Sequence, residues 1–180
     1  MPVHLMEMRF YTYGAIKIFE RRKTRLRRLR YLITLCGIAS PALVFIVAFT
    51  DSQRFITIAT LVIITSIVLL ALLLLSIYSL VAKWEDKNEY AIQALASSTA
   101  IYDRLNALID SNDSISSSVL SAIRSDYHTQ FSGEHIYNIT DKEKRYGYRQ
   151  SLLKFSKRCS LCHIKPKDIR PSLCEQCGKF

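Results

Sequence analysis

Two long apolar runs with five polar residues between them constrain this chain more than any other feature. The first is YLITLCGIASPALVFIVAF, residues 31–49. The second is FITIATLVIITSIVLLALLLLSIYSLVA, residues 55–82. Neither contains a charged side chain. A bilayer core of roughly 30 Å takes about 20 apolar helical residues to cross, so both runs read as spans. The gap, Thr50-Asp51-Ser52-Gln53-Arg54, suits a turn and is too short for a domain. The fold expected is an all-α membrane protein: a two-helix transmembrane hairpin, cytoplasmic helices, and a small C-terminal zinc-knuckle-like module.

Charge sets the expected orientation. The net charge is +10, unevenly spread. Residues 17–30 hold eight Lys or Arg against one Glu, and residues 141–180 hold eleven against four acids. Lys83 and Lys87 follow the second run. The positive-inside rule then puts both termini in the cytoplasm, with the loop outside. Tyr31, Tyr78 and Trp84 would form the inner aromatic belt. A secretory signal peptide fits poorly, because the charged leader and the apolar run are too long and no A-x-A site follows.

Four regions are expected: a basic amphipathic helix over 1–30, the hairpin over 31–82, cytoplasmic helices over 83–139, and a basic helix plus four-cysteine module over 140–180. Within the first, residues 9–30 read as a helix. Pro41 removes one backbone bond in the first run, among Gly37, Ala39, Ser40 and Ala42, which suit close packing. Cys36 reads as a small apolar packing residue. From Trp84 to about Ile109 an apolar stripe recurs every three to four residues, predicting a helix continuous with the second run or broken near Lys83. Residues 110–118 form a polar break. A further helix is predicted over 115–127, then an irregular stretch over 128–139. Thr140 and Glu143 fit a capping box, opening a helix from Asp141 to about Phe155.

The tail reads CSLCHIKPKDIRPSLCEQC. Cys159 and Cys162 form one C-x2-C pair, and Cys174 and Cys177 a second, with eleven residues between. Each pair offers two thiolates about one turn apart, and four close a tetrahedron around structural Zn2+ at Zn–S distances near 2.3 Å. Disulfides are the alternative, disfavoured by a reducing cytoplasm. His163 could replace a cysteine, but four suffice. Basic residues around Tyr146, Tyr148 and Phe155 are the footprint of nucleic-acid binding, and equally of a surface facing anionic lipid. No phosphate loop, H-E-x-x-H or nucleophile elbow is present, so no enzyme is expected.

The second run carries hydroxyls on about half of its circumference. Thr57, Thr60, Thr65, Ser76 and Ser79 share a face with Leu61, Val68, Leu72 and Leu75, giving polar ends and an apolar middle. Several copies in a ring could line a pore with a dewetting gate. Alternatively, the hydroxyls bond to carbonyls of their own helix, which the chemistry alone favours.

The order RLRRLRYL, a Pro-containing run, a short loop, a longer run and KWEDKNEYAIQAL resembles the SLATT family of two-transmembrane effectors. The tail from Cys159 to Cys177 is similar to mobile-element proteins defined by C-x2-C-x11-C-x2-C. The resemblance implies a homo-oligomeric membrane pore or ion channel acting in antiphage, abortive-infection defence. It also implies a bacterial inner-membrane location, the bilayer as partner and control by a nucleotide or oligonucleotide signal from a nucleotidyltransferase. The other class of function is a membrane-tethered zinc-module adaptor that binds nucleic acid or a partner protein.

Overall fold

The computed structural model describes residues 3–50, 55–81, 84–110, 117–132 and 139–180; within its helices the side chains of 3, 36, 40–50, 55–59, 61, 72, 75–76, 78–81, 84 and 117 are outside the description. Among the described residues there are five helices and no strand. They are α1 (Val3–Thr50), α2 (Phe55–Val81), α3 (Trp84–Asp110), α4 (Ser117–Ser132) and α5 (Asp141–Lys154). The chain divides into two compact units, Met1–Lys23 with Glu89–Phe180, and Thr24–Asn88.

The all-helical expectation holds, but its membrane part does not. Among the described residues no helix is long and apolar enough to cross a membrane. The transmembrane hairpin, the ion-channel reading and the inner-membrane location with cytoplasmic termini are therefore corrected together. The hydroxyls described on α2 follow the simpler alternative: Thr65 Oγ1 donates to the Val62 carbonyl at 3.1 Å, and Ser66 Oγ to the same oxygen at 2.7 Å. Loop residues 51–54 and any break near Lys83 lie outside the described residues, as do the side chains of Cys36, Pro41, Thr50, Tyr78 and Trp84.

The first unit explains why α1 starts earlier than position 9. Leu5 and Met8 recur at helical spacing and pack against Ile101 and Leu105 of α3 and Ile123 of α4. Two turns further, Ala15, Ile18 and Phe19 pack against Ala91, Ala94 and Ile139. Each large side chain so buried contributes roughly 1.5–3 kcal/mol. Helix α4 runs five residues beyond the predicted Tyr127. Phe131 stacks on Tyr127 at 4.2 Å, and Ser97 Oγ donates to Gln130 Oε1 at 2.6 Å. These contacts hold 128–132 helical; residues 133–138 lie outside the description, as does 111–116 of the polar break.

Helix α5 crosses α1 where both carry glycine. A Cβ on Gly147 would sit 2.8 Å from the Gly14 carbonyl oxygen and 2.8 Å from Ile18 Cδ1. Beside that crossing, Ser151 Oγ donates to the Phe10 carbonyl at 2.7 Å. The capping box predicted at Thr140 is present, with both reciprocal bonds.

Glu143 also reaches across to α1. Arg22 grips it bidentately, Nε to Oε1 at 2.7 Å and Nη2 to Oε2 at 2.6 Å. Partial burial alone would raise the Glu143 pKa. The Arg22 hydrogen bonds and the Thr140 backbone N–H overcome that and hold it below 4.5. A depressed folded pKa contributes stability above the unfolded value, and that stability is lost as pH falls through the folded one. Glu143→Gln should therefore cost about 1–2 kcal/mol at pH 7, at the low end for charged hydrogen bonds because solvent screens the pair. The gap to wild type should close as the pH drops below about 4. Thermal melts of both proteins from pH 7 to 3 check this; a gap that does not vary with pH would exclude the ion pair as its source.

Candidate metal centre and adjoining basic face

The chain after α5 has little apolar material of its own, and four thiols take the place of a core. The sulfur atoms of Cys159, Cys162, Cys174 and Cys177 all lie within 4.8 Å of one another. Sγ of Cys159 is 3.9 Å from that of Cys174, and Sγ of Cys162 is 3.8 Å from that of Cys177. A regular tetrahedron with metal–sulfur bonds near 2.3 Å has edges of about 3.8 Å. A disulfide needs about 2.05 Å, and all four thiols are free. The spacing thus fits a bound metal ion and excludes the disulfide alternative for this arrangement. His163 is exposed, lies at φ 57° and is not in the group.

Electrostatics point the same way. Burial alone would raise the pKa of Cys174, but backbone N–H groups of Cys177 and Gln176 and neighbouring thiols lower it to about 6. Burial pushes the Cys177 thiol up, and the other three cysteines add to that. Without a cation the cluster favours one thiolate and penalises its neighbour. A metal ion would remove that conflict, because its charge compensates all four sulfurs.

Backbone geometry holds the thiols together. Cys159 N–H donates to the Ile164 carbonyl at 3.1 Å and His163 N–H to the Cys159 carbonyl at 3.0 Å, folding the first pair into a turn. Gly178 N–H donates to the Cys174 carbonyl at 2.9 Å and closes the second. A Cβ on Gly178 would lie 2.1 Å from the Ser172 carbonyl oxygen, so only glycine fits.

The module docks on the helices through its ligands. Cys159 and Cys177 are buried with Phe10 of α1 and Leu152 of α5. The residue that sequence reasoning missed is Arg149. It is 7% exposed. Its Nε donates to the Asp168 carbonyl at 3.0 Å, and its Nη1 to Ser172 Oγ at 3.1 Å and the Cys177 carbonyl at 2.9 Å. One guanidinium thereby ties α5 to the connecting loop and to the second cysteine pair. Five donors in a rigid fork suit this task, which lysine could not perform.

A sequence model of the family described as Mobilome CxxCx(11)CxxC protein matches residues 4–180. The chain belongs to this family. The matched pattern is the cysteine cluster just described, and the match takes in the helices as well. No curated protein and no solved structure gives a significant match.

Beside the mobilome-family cysteine cluster, cations lie over aromatic rings in a connected track. Lys17 Nζ and Lys154 Nζ are 5.5 and 6.0 Å from the Tyr13 ring centre. Tyr13 meets Phe155 edge-on at 5.8 Å. Arg9 lies 5.2 Å over Phe155 and 5.9 Å over Tyr102. Phe155 neighbours Phe10, and Lys157 Nζ sits 5.3 Å over Phe10. Lys17 is paired with Glu20 at 2.7 Å. Lys154 and Lys157 are exposed and carry no ion pair among the described residues. The Arg9 Nε atom is buried and has no hydrogen-bond partner among them.

Of the residues considered as a pore lining, Thr60 and Val68 are exposed on α2 and Thr65 is half-buried. Thr57, Leu61, Leu72, Leu75, Ser76 and Ser79 fall on positions whose side chains are outside the description. Of the aromatics named in the tail, Tyr148 is packed against the cysteine cluster with Phe155, and Tyr146 meets Arg21 at 4.4 Å.

Proposed function

We propose that this protein is a non-enzymatic binding module, a helical scaffold with a Zn2+-bound four-cysteine knuckle, that engages single-stranded nucleic acid along its basic-aromatic track. The observation that carries the reading is the alternation of Lys17, Arg9 and Lys154 with the half-buried rings of Tyr13 and Phe155, with Lys157 beside them over the buried Phe10. Proteins that bind single strands combine cations for the phosphates with rings on which bases stack. The exposed Lys165, Lys167 and Arg170 on the knuckle extend the positive surface. Zinc is the metal of choice because four thiolates in a closed tetrahedron suit a borderline-soft ion without redox chemistry. A part in mobile-element conflict, akin to the SLATT effectors, belongs to the same proposal and does not require a pore; the family match supports its mobile-element side alone.

A second reading has its own support. Leu161, Ile164, Ile169 and Leu173 are aliphatic, lie on the knuckle and are exposed, Leu173 by 92%. They suit a partner protein better than a base.

The test is fluorescence anisotropy of a labelled oligo-dT 20-mer with metal-loaded protein. The double variant Lys154→Glu/Lys157→Glu should weaken binding at least about tenfold and flatten the salt dependence by about 0.7 per lost phosphate contact. Binding that is absent at low salt, or unchanged in the double variant, would remove the nucleic-acid reading and leave the partner-protein one.

A further inference from the structure

A cavity of about 530 Å³ opens in the first unit where α1, α4, α5 and the last cysteine turn meet. Clefts of roughly 300–1,000 Å³ take small organic ligands. Its buried wall is apolar, formed by Phe10, Gly14, Ala15, Ile18 and Ile139, with Phe131 half-buried beside them. Its exposed edge is polar, carrying Asp141, Lys144, Glu175 and Gln176, with Arg145 half-buried.

The charges on that edge are not equally available. Glu175 holds Lys179 at 3.1 Å. Asp141 lies in the first turn of α5, where the positive end of the helix favours its charge. Arg145 gives Nη1 to the Lys179 carbonyl at 3.3 Å and keeps its other donors. The Lys144 ammonium makes no hydrogen bond or ion pair among the described residues. An apolar wall beside two cations with donors to give is complementary to a molecule with an apolar body and one acidic end.

We propose that this cavity binds a small amphiphilic anion, with its apolar body against Phe10 and Phe131 and a single carboxylate, sulfonate or phosphate head at Lys144 and Arg145. The site shares Phe10 with the nucleic-acid track but none of its cations, so Lys144→Glu tests it without touching the track.

Two naphthalene probes separate body from head: anilinonaphthalene sulfonate, which is anionic, and N-phenylnaphthylamine, its neutral analogue. Titration of the full chain is followed by amide chemical shifts, which distinguish the cavity from the exposed apolar side chains of α2. Both probes should shift the amides of Phe10, Gly14 and Lys144 in a saturable way. Lys144→Glu should weaken the sulfonate about five- to tenfold through loss of one charge-assisted contact and change the neutral probe less than about twofold. The new carboxylate lies near the α5 N-terminus, which tolerates it, so folding should be retained. Shifts confined to α2, or a sulfonate affinity that Lys144→Glu leaves unchanged, would overturn the proposal.

Discussion

Cys177→Ser should release the metal and unfold the last twenty residues. Purified wild-type protein is expected to carry about one zinc per chain, and the variant far less. The effect should be large because structural zinc contributes on the order of 10–16 kcal/mol of apparent binding energy to small modules. Cys177 is 2% exposed and packs with Phe10, Leu152 and Cys159. Loss of the metal therefore also uncovers the Phe10 face of α1. Elemental analysis gives the stoichiometry, and amide hydrogen exchange over 159–178 reports the unfolding. Chelator treatment of wild type should reproduce the variant. Retained protection without metal would mean that packing alone holds the knuckle.

The parts of this fold that were legible in the sequence are those set by short-range chemistry. The four cysteines stand out because a ligand set needs two close pairs, and the structure brings those same sulfurs together. Thr140 and Glu143 sit three apart, so their reciprocal bonds are a local matter and the start of α5 was readable to the residue. The end of α3 fell within a residue of the prediction for the same reason. Misreadings came from features decided at long range. Uninterrupted apolar composition over 31–49 and 55–82 suggested spans, which the described helices do not support. Helix α4 outran its predicted end because Phe131 and Gln130 find partners on their own helix and on α3. Gly14 and Gly147 interrupt helical stretches without breaking them, and an isolated glycine in a helix is itself a sign of close packing. That sign was available and would have marked the crossing of α1 and α5.

Arg149 was the least legible of all, because in sequence a buried arginine looks like the ten other basic residues around it. Its hydrogen-bond partners lie 19 to 28 residues downstream, and two of the three are carbonyl oxygens that any residue supplies; the Asp168 carboxylate adds an ion pair at 3.5 Å. Arg149→Met should keep much of the side chain's volume and delete every donor. The buried Cys177 carbonyl would then lose its partner, at about 1–3 kcal/mol for an acceptor left unsatisfied, while the Asp168 carbonyl, on an exposed residue, can turn to water. The total expected is about 1–3 kcal/mol, and the knuckle should loosen from α5. Metal content should not fall with it, since the four thiolates are untouched. This separates Arg149→Met from Cys177→Ser: one variant loses docking and keeps zinc, and the other loses both. Arg149→Lys should recover only part of the stability, because one ammonium cannot reach three acceptors spread over Asp168, Ser172 and Cys177. Thermal melts with metal content measured on the same samples decide the matter. A wild-type melt in Arg149→Met would show that the knuckle is held to the helices by Phe10 and Leu152 alone.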